Sequence, residues 1–192
     1  MRLAAGPSGP LKDNRRNGTM QIRLLNPDDA NEWWRLRLES LQGDPQAFSA
    51  SAEEHISITL DEVRRRLGAD GSDMFVAGAF EDGLLVAMAG FYREKGLKSR
   101  HKGRIWGVYV TPGSRGTGVG RKVLQMVLER GIALPGIEQP LLSVTATQTA
   151  AIALYRSLGF QSFGSEPRAL KIGDRFVNEE YMILRVEDRK QG

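Results

Sequence analysis

The sequence predicts an α/β fold of the α+β type, with one mixed central sheet of about seven strands flanked by helices on both faces. Three observations predict it. Seven apolar runs have strand length and are separated by turn residues. Most neighbours are spaced for antiparallel pairing, yet residues 104–146 have the length of one parallel strand–helix–strand unit. Helical periodicity occurs both before and after the hairpins, so both sheet faces receive cover. The chain of 192 residues, 41% hydrophobic and 26% charged, carries enough apolar matter for a single core.

The elements follow in order. Residues 1–19 lack a sustained apolar stretch and read as a disordered N-terminal extension, leaving 20–190 as a single domain. "MQIRLLN" is a strand. "PDDANEWWRLRLESL" is a helix, opened by Pro27, Asp28 and Asp29, with Trp34, Leu38 and Leu41 at helical spacing. In "TLDEVRRRL", Thr59 and Glu62 form a capping box before a second helix. "DMFVAGAFEDGLLVAMAGFYRE" is a hairpin turning at Glu81-Asp82-Gly83. "RIWGVYV" (104–110) is the next strand. "GRKVLQMVLERGIAL" is a helix whose Val123, Leu124, Val127 and Leu128 share a face. "PLLSVTAT" is a strand, and "TAAIALYRSLG" a helix closed at Gly159. "FQSFGSE" and "FVNEEYMILRVE" close the sheet as a strand pair.

Composition excludes several chemistries. The chain has no cysteine, so disulfides, thiolate metal sites and cysteine nucleophiles are out, and two histidines are too few for a histidine-rich metal centre. No apolar run reaches the ~20 residues that span a bilayer. The expectation is a cytoplasmic protein with no membrane partner and no metal. The net charge of +4 does not point to nucleic acid, because Arg2, Lys12, Arg15 and Arg16 against Asp13 put +3 of it in residues 1–19.

Function is carried by "YVTPGSRGTGVGRKVL" (109–124), which holds four glycines within eight positions ahead of a helix. A Walker A loop would need lysine where Val119 stands. A dinucleotide fingerprint would need glycine where Arg121 stands. What remains is the run Arg115, Gly116, Thr117, Gly118, Val119, Gly120 between a strand and an amphipathic helix. It resembles motif A, the acetyl-coenzyme A loop, of the GNAT superfamily of N-acetyltransferases. A second stretch, "QTAAIALYRSLGF" (148–160), is similar to motif B of that superfamily, with Ala151, Leu154, Tyr155, Gly159 and Phe160 in place. Gln148 occupies the position where asparagine is usual. With the strand order around them, the two motifs extend the resemblance over residues 20–187.

The resemblance implies a GNAT fold and direct attack of a substrate amine on acetyl-CoA. Backbone N–H groups at a helix N-terminus suit a pyrophosphate dianion, so Gly116, Thr117, Gly118, Val119 and Gly120 are expected to cradle it, with Arg115 and Arg121 adding charge-assisted bonds. A free N–H near Val108, Tyr109 or Val110 would face the thioester oxygen. Tyr155 matches the family's general acid, and Gln148 an amide contact. The general base stays open. Arg104 stands at or near the place where many members carry glutamate, and Glu94, His101 and Tyr109 are the substitutes nearby. Glu39, Asp44, Glu53, Glu54, Glu179 and Glu180 are candidates to meet a cationic amine. The acceptor is expected to be a small molecule or peptide amine. An N-terminal protein acetyltransferase of the ribosomal-protein type and a catalytically weak acyl-CoA sensor are the alternatives, and a homodimer is an open option.

Overall fold

The computed structural model describes residues 20–68 and 73–189. The expected disordered extension, residues 1–19, lies outside the described residues. Strand β1 (Met20–Leu24) leads through a 3-10 turn at Pro27–Asp29 into helix α1 (Ala30–Gly43), followed by the short helices α2 (Ala52–Ile56) and α3 (Leu60–Gly68). Strands β2 (Met74–Glu81) and β3 (Leu84–Arg93) make the predicted hairpin. Strand β4 (Lys102–Val110), helix α4 (Val119–Ala133) and strand β5 (Gln139–Thr145) make the parallel unit. Helix α5 (Thr149–Ser157) precedes β6 (Gln161–Ile172) and β7 (Arg175–Ile183), and the turn of helix α6 (Val186–Arg189) follows. One seven-stranded sheet results, ordered β1-β2-β3-β4-β5-β7-β6 and antiparallel except between β4 and β5.

Each face of the sheet has its own helices. Val123, Leu124, Val127 and Leu128 of α4 and Ile152 and Tyr155 of α5 pack with Ala77, Ala79, Ala87 and Ala89. Trp33 and Leu36 of α1 and Val63 of α3 pack on the other face, against Val76, Phe80, Leu85 and Met88. β2 and β3 are therefore buried on both sides, which is why their sequences run apolar without alternation. The entry to α1 is pinned by Asp29. Burial alone would raise its pKa, but hydrogen bonds from Arg23 (2.6 and 2.7 Å) and the Asn26 N–H (2.9 Å) hold the carboxyl below its usual range.

Three elements differ from the sequence expectation. Of the expected stripe Trp34, Leu38 and Leu41, only Leu41 is fully buried; the inner stripe of α1 runs through Trp33, Leu36, Arg37, Ser40 and Leu41, so that a charged residue faces inward. α2 was not anticipated; it is one short turn started by a Ser51–Glu54 capping box. β6 continues beyond Glu166 to Ile172, because a register shift between Glu166 and Leu170 lets Pro167 sit outside the ladder.

Phe91 locks the sheet to α4. Its ring is fully buried and stacks on Phe75 at 5.2 Å, and a Cβ on Gly103 would stand 2.2 Å from one of its ring carbons. The ring cannot swing away, so Gly103→Ala is expected to destabilise by ~1–3 kcal/mol through overpacking. Thermal melting should show a drop of several degrees; an unchanged midpoint would contradict this packing.

Candidate active site

β4 and β5 pair only at Lys102–Arg104 with Gln139–Leu141. Both strands continue, β4 to Val110 and β5 to Thr145, but their edges no longer meet. β4 also carries one extra residue against β3, since Met88 pairs with Tyr109 while Gly90 pairs with Trp106. Gly107 lies in this bulge at φ +62°, a conformation glycine accepts without strain. The β5-facing edge of residues 105–110 is thus left without a ladder partner, and its polar groups face an opening. The sequence signal for this was the glycine inside "RIWGVYV", whose bulge was not anticipated.

The glycine loop lies at the mouth of that opening. Thr111 leads to a 3-10 turn at Pro112–Ser114, and α4 then begins after Gly118. Gly116 (φ +78°) and Gly118 (φ +83°) are left-handed, and nothing stands within 4 Å of a Cβ on either. Gly120 has a different cause: its Cβ would meet Val110 Cγ2 at 2.9 Å, so it allows α4 to lie close on β4. No side chain caps α4 at Gly118, and the first helical bond runs from Lys122 N–H to Gly118 at 3.2 Å. The N–H groups of Val119, Gly120 and Arg121 therefore lack intrahelical partners and carry the positive end of a 15-residue helix. Val119 itself is buried beneath the loop. Thr117 Oγ1 donates to the Ser114 carbonyl (2.8 Å), Arg115 Nε to the Val110 carbonyl (3.0 Å) and Arg121 Nη2 to Ser157 Oγ (2.6 Å). Arg115 is exposed and Arg121 half-buried, so cations flank the loop.

The two helical layers meet the opening from opposite faces. On the α4–α5 side, Val108 and Val110 pack on the core, and Tyr155 is buried edge-on to Phe160 at 6.1 Å. Burial pushes the Tyr155 phenol well up, so its proton stays in place at neutral pH. On the α1 side, Tyr109 turns inward and donates to Glu39 Oε1 at 3.2 Å, while Phe48 lies 6.4 Å from its ring. The α1–α2 connection crosses the end of β5: Thr145 Oγ1 donates to the Gln46 carbonyl (2.5 Å), and Gln148 Nε2 to Asp44 Oδ2 (2.9 Å). Gln148 thus ties α5 to this connection. Arg37 stands in the same region, buried, beside Phe48.

Other candidates lie elsewhere. Glu94 is held by Arg104 Nε at 2.8 Å, and the backbone of His101 accepts from Glu138 and Gln139. Both sit at the start of β4, ~20 Å or more along the strand from Val110. The basic stretch 93–104 is at that end too, where Arg93 donates to the Arg100 and Pro135 carbonyls. Glu54 serves its capping box, and Glu180 pairs with Arg156 at 3.0 Å. Glu179 is the exception: it pairs in register with Thr145 at the site end of β5, and burial raises its pKa. Among the described residues, no group of three or more His, Asp or Glu side chains could hold a metal, and no helix is long and apolar enough to cross a membrane.

Comparison with known proteins places the chain in a family. Residues 31–160 match the model of the acetyltransferase (GNAT) family. The chain belongs to the GNAT acetyltransferase family. A GNAT-family acetyltransferase of Streptococcus pneumoniae superposes with a TM-score of 0.78 at 22% identity, covering 88% of this chain and all of the other. The yncA structure of Salmonella typhimurium, solved with its cofactor acetyl-CoA, gives 0.72 at 20% identity over 88% of this chain and 94% of its own. Among curated GNAT relatives, mycothiol acetyltransferase of Streptomyces scabiei is 27% identical across 76% of this chain. N-alpha-acetyltransferase RimI of Mycobacterium tuberculosis is 35% identical across 50% of this chain and 57% of its own length. The chain spans less than half of the mycothiol acetyltransferases it matches, 44% in the first case.

His55 of α2 gives this GNAT domain a pH signature. Its ring Nε2–H donates to the Trp34 carbonyl (2.9 Å), and the ring packs on Trp33 and Trp34. Burial, aided by the Arg37 charge, outweighs that bond and lowers its pKa below 6.5. Above pH 6.5 His55 is neutral in both states and adds no pH dependence. Below it the unfolded chain takes up the proton first, so stability declines as pH falls. Urea midpoints at pH 7.5 and 5.0 should differ less in His55→Gln than in the wild type; an equal or larger difference would contradict this environment.

Proposed function

We propose that this chain transfers an acetyl group from acetyl-CoA to a primary amine of a small molecule or peptide by direct attack. The observation that carries the reading is the uncapped N-terminus of α4, opening onto the β4–β5 gap through two left-handed glycines. The site fits the donor on its own chemistry: unpaired N–H groups, open space over Gly116 and Gly118, and flanking arginines suit a pyrophosphate. Acetyl-CoA supplies the acetyl group already activated as a thioester. The loop from Gly116 to Gly120, with Arg115 and Arg121, binds and orients. The unladdered N–H groups of β4 near Val108, Tyr109 and Val110 stabilise negative charge on the carbonyl oxygen.

Tyr155 serves the leaving sulfur. Because burial makes its phenol a weaker acid than usual, it acts chiefly by donating a hydrogen bond to the developing thiolate. Gln148 holds the α1–α2 connection over the site through Asp44, which shapes the acceptor side. Glu39, held by Tyr109 and by Arg35 at 3.1 Å, is the carboxylate bonded to the outer half of β4 and draws the ammonium form of the substrate toward it; the amine gives up a proton to solvent before its lone pair attacks. The cytoplasm is the proposed compartment, which suits an intracellular donor. The RimI relative supports a second reading, a protein N-terminus as the acceptor.

Thiol release from acetyl-CoA, measured across amino acids, polyamines, aminoglycosides and short peptides, tests the transferase reading. At least one amine class should support turnover; cofactor binding without release from any of them would favour a sensor. With the active amine, Tyr155→Phe should lower kcat by roughly 10²-fold, within the range usual for a lost proton-handling group. Its affinity for acetyl-CoA should stay within about twofold of wild type, because the phosphate cradle lies elsewhere. Unchanged kcat would remove Tyr155 from the mechanism.

A further inference from the structure

Three formally charged side chains are buried among the described residues: Asp29, Arg37 and Arg93. Asp29 has Arg23, and Arg93 has Asp73 at 2.7 Å as well as two backbone carbonyls. Arg37 has no anion. Only 8% exposed, it lies with its guanidinium carbon 4.6 Å from the Phe48 ring centre, and its Nη1 is buried without a hydrogen-bond partner. Burial lowers its pKa to about 10, which leaves it charged at neutral pH. A buried cation with no counter-charge is strongly unfavourable. Folding alone gives no reason to place it on the inner stripe of α1.

Its surroundings give one. Nη1 stands 3.8 Å from where a Cβ on Gly107 would be, so it faces the bulge of β4 at the start of the opening. The guanidinium carbon sits over the Phe48 ring, a contact that leaves the N–H groups without a hydrogen-bond acceptor, and a carboxylate is the acceptor a guanidinium matches best. Two residues further along β4, Tyr109 donates to Glu39 Oε1, while Arg35 on the outer side of α1 pairs with Glu39 Oε2 at 3.1 Å. α1 thus sets a cation over Gly107 and an anion over Tyr109, next to the strand edge assigned above to the thioester. That pair complements a zwitterion. We propose that Arg37 binds the carboxylate of the acceptor, and that the acceptor is an α-amino acid or a close analogue whose carboxylate lies a few bonds from the reacting amine. This assignment rests on the transferase reading. It disfavours polyamines and aminoglycosides, which would bring a second cation to Arg37. It also disfavours protein N-termini, which present an amide at that position.

The test compares each proteinogenic L-amino acid with its own amide as acceptor, by thiol release from acetyl-CoA, in wild type, Arg37→Gln and Arg37→Lys. Wild type should prefer at least one acid over its amide by tenfold or more in kcat/KM. Arg37→Gln should erase that preference mainly through KM, and Arg37→Lys should keep part of it. Equal or better turnover of the amides by wild type, or an equal loss on acid and amide in Arg37→Gln, would overturn the proposal. If Arg37→Gln does not fold, the acid-to-amide ratios of wild type and Arg37→Lys decide. If no amine supports thiol release, the transferase reading fails. The carboxylate site is then judged by calorimetry with the N-acetyl-L-amino acids in the presence of coenzyme A. Binding that Arg37→Gln or Arg37→Lys weakens tenfold supports it, and absent or unaltered binding overturns it.

Discussion

The short pairing between β4 and β5 is the constraint on which the rest of the molecule depends. Three residue pairs join the strands, and beyond Arg104 and Leu141 they separate. β5 tolerates this because its other edge is paired with β7 from Leu141 to Thr145. β4 tolerates it because β3 holds it on both sides of the Gly107 bulge. Each strand therefore loses ladder bonds along one edge only. The groups freed on β4 are backbone donors at fixed positions, and a crossover helix must start beside them for β5 to run parallel. The opening and the α4 N-terminus are thus two results of one topology.

That topology also separates the two sides of the site. The α4–α5 layer brings the glycine loop and the buried Tyr155 to one face of the opening. The α1–α3 layer brings Arg37, Glu39 and Phe48 to the other, with Asp44 and Gln46 crossing the end of β5. Residues on α1 can change without disturbing the glycine loop.

How much of this was legible in the sequence depended on whether a signal was local. The hairpin was legible because Asp82 and Gly83 both take positive φ, as a two-residue turn requires. α4 was legible because its four apolar residues keep helical spacing over two turns. The strand–loop–helix junction was legible as a glycine pattern, while the close approach of Gly120 to Val110 was not. The phase of α1 was not, because Trp33 and Trp34 are adjacent and the inner stripe contains Arg37, which no hydrophobicity pattern selects. The roles of Glu94 and His101 were not either: nearness in sequence to β4 hid the fact that they lie at its far end. Glu39 and Asp44 stood among several surface acids, and only long-range bonds to Tyr109 and Gln148 single them out.

The most direct test of the central claim is a titration of the ¹⁵N-labelled protein with acetyl-CoA, followed by backbone amide shifts. The divergent strands and the uncapped helix predict the largest changes at residues 116–121 and at Val108–Val110, with little change at Lys102–Arg104, where β4 and β5 remain paired. Shifts concentrated on the β1–β2 edge, or none at saturating acetyl-CoA, would contradict it.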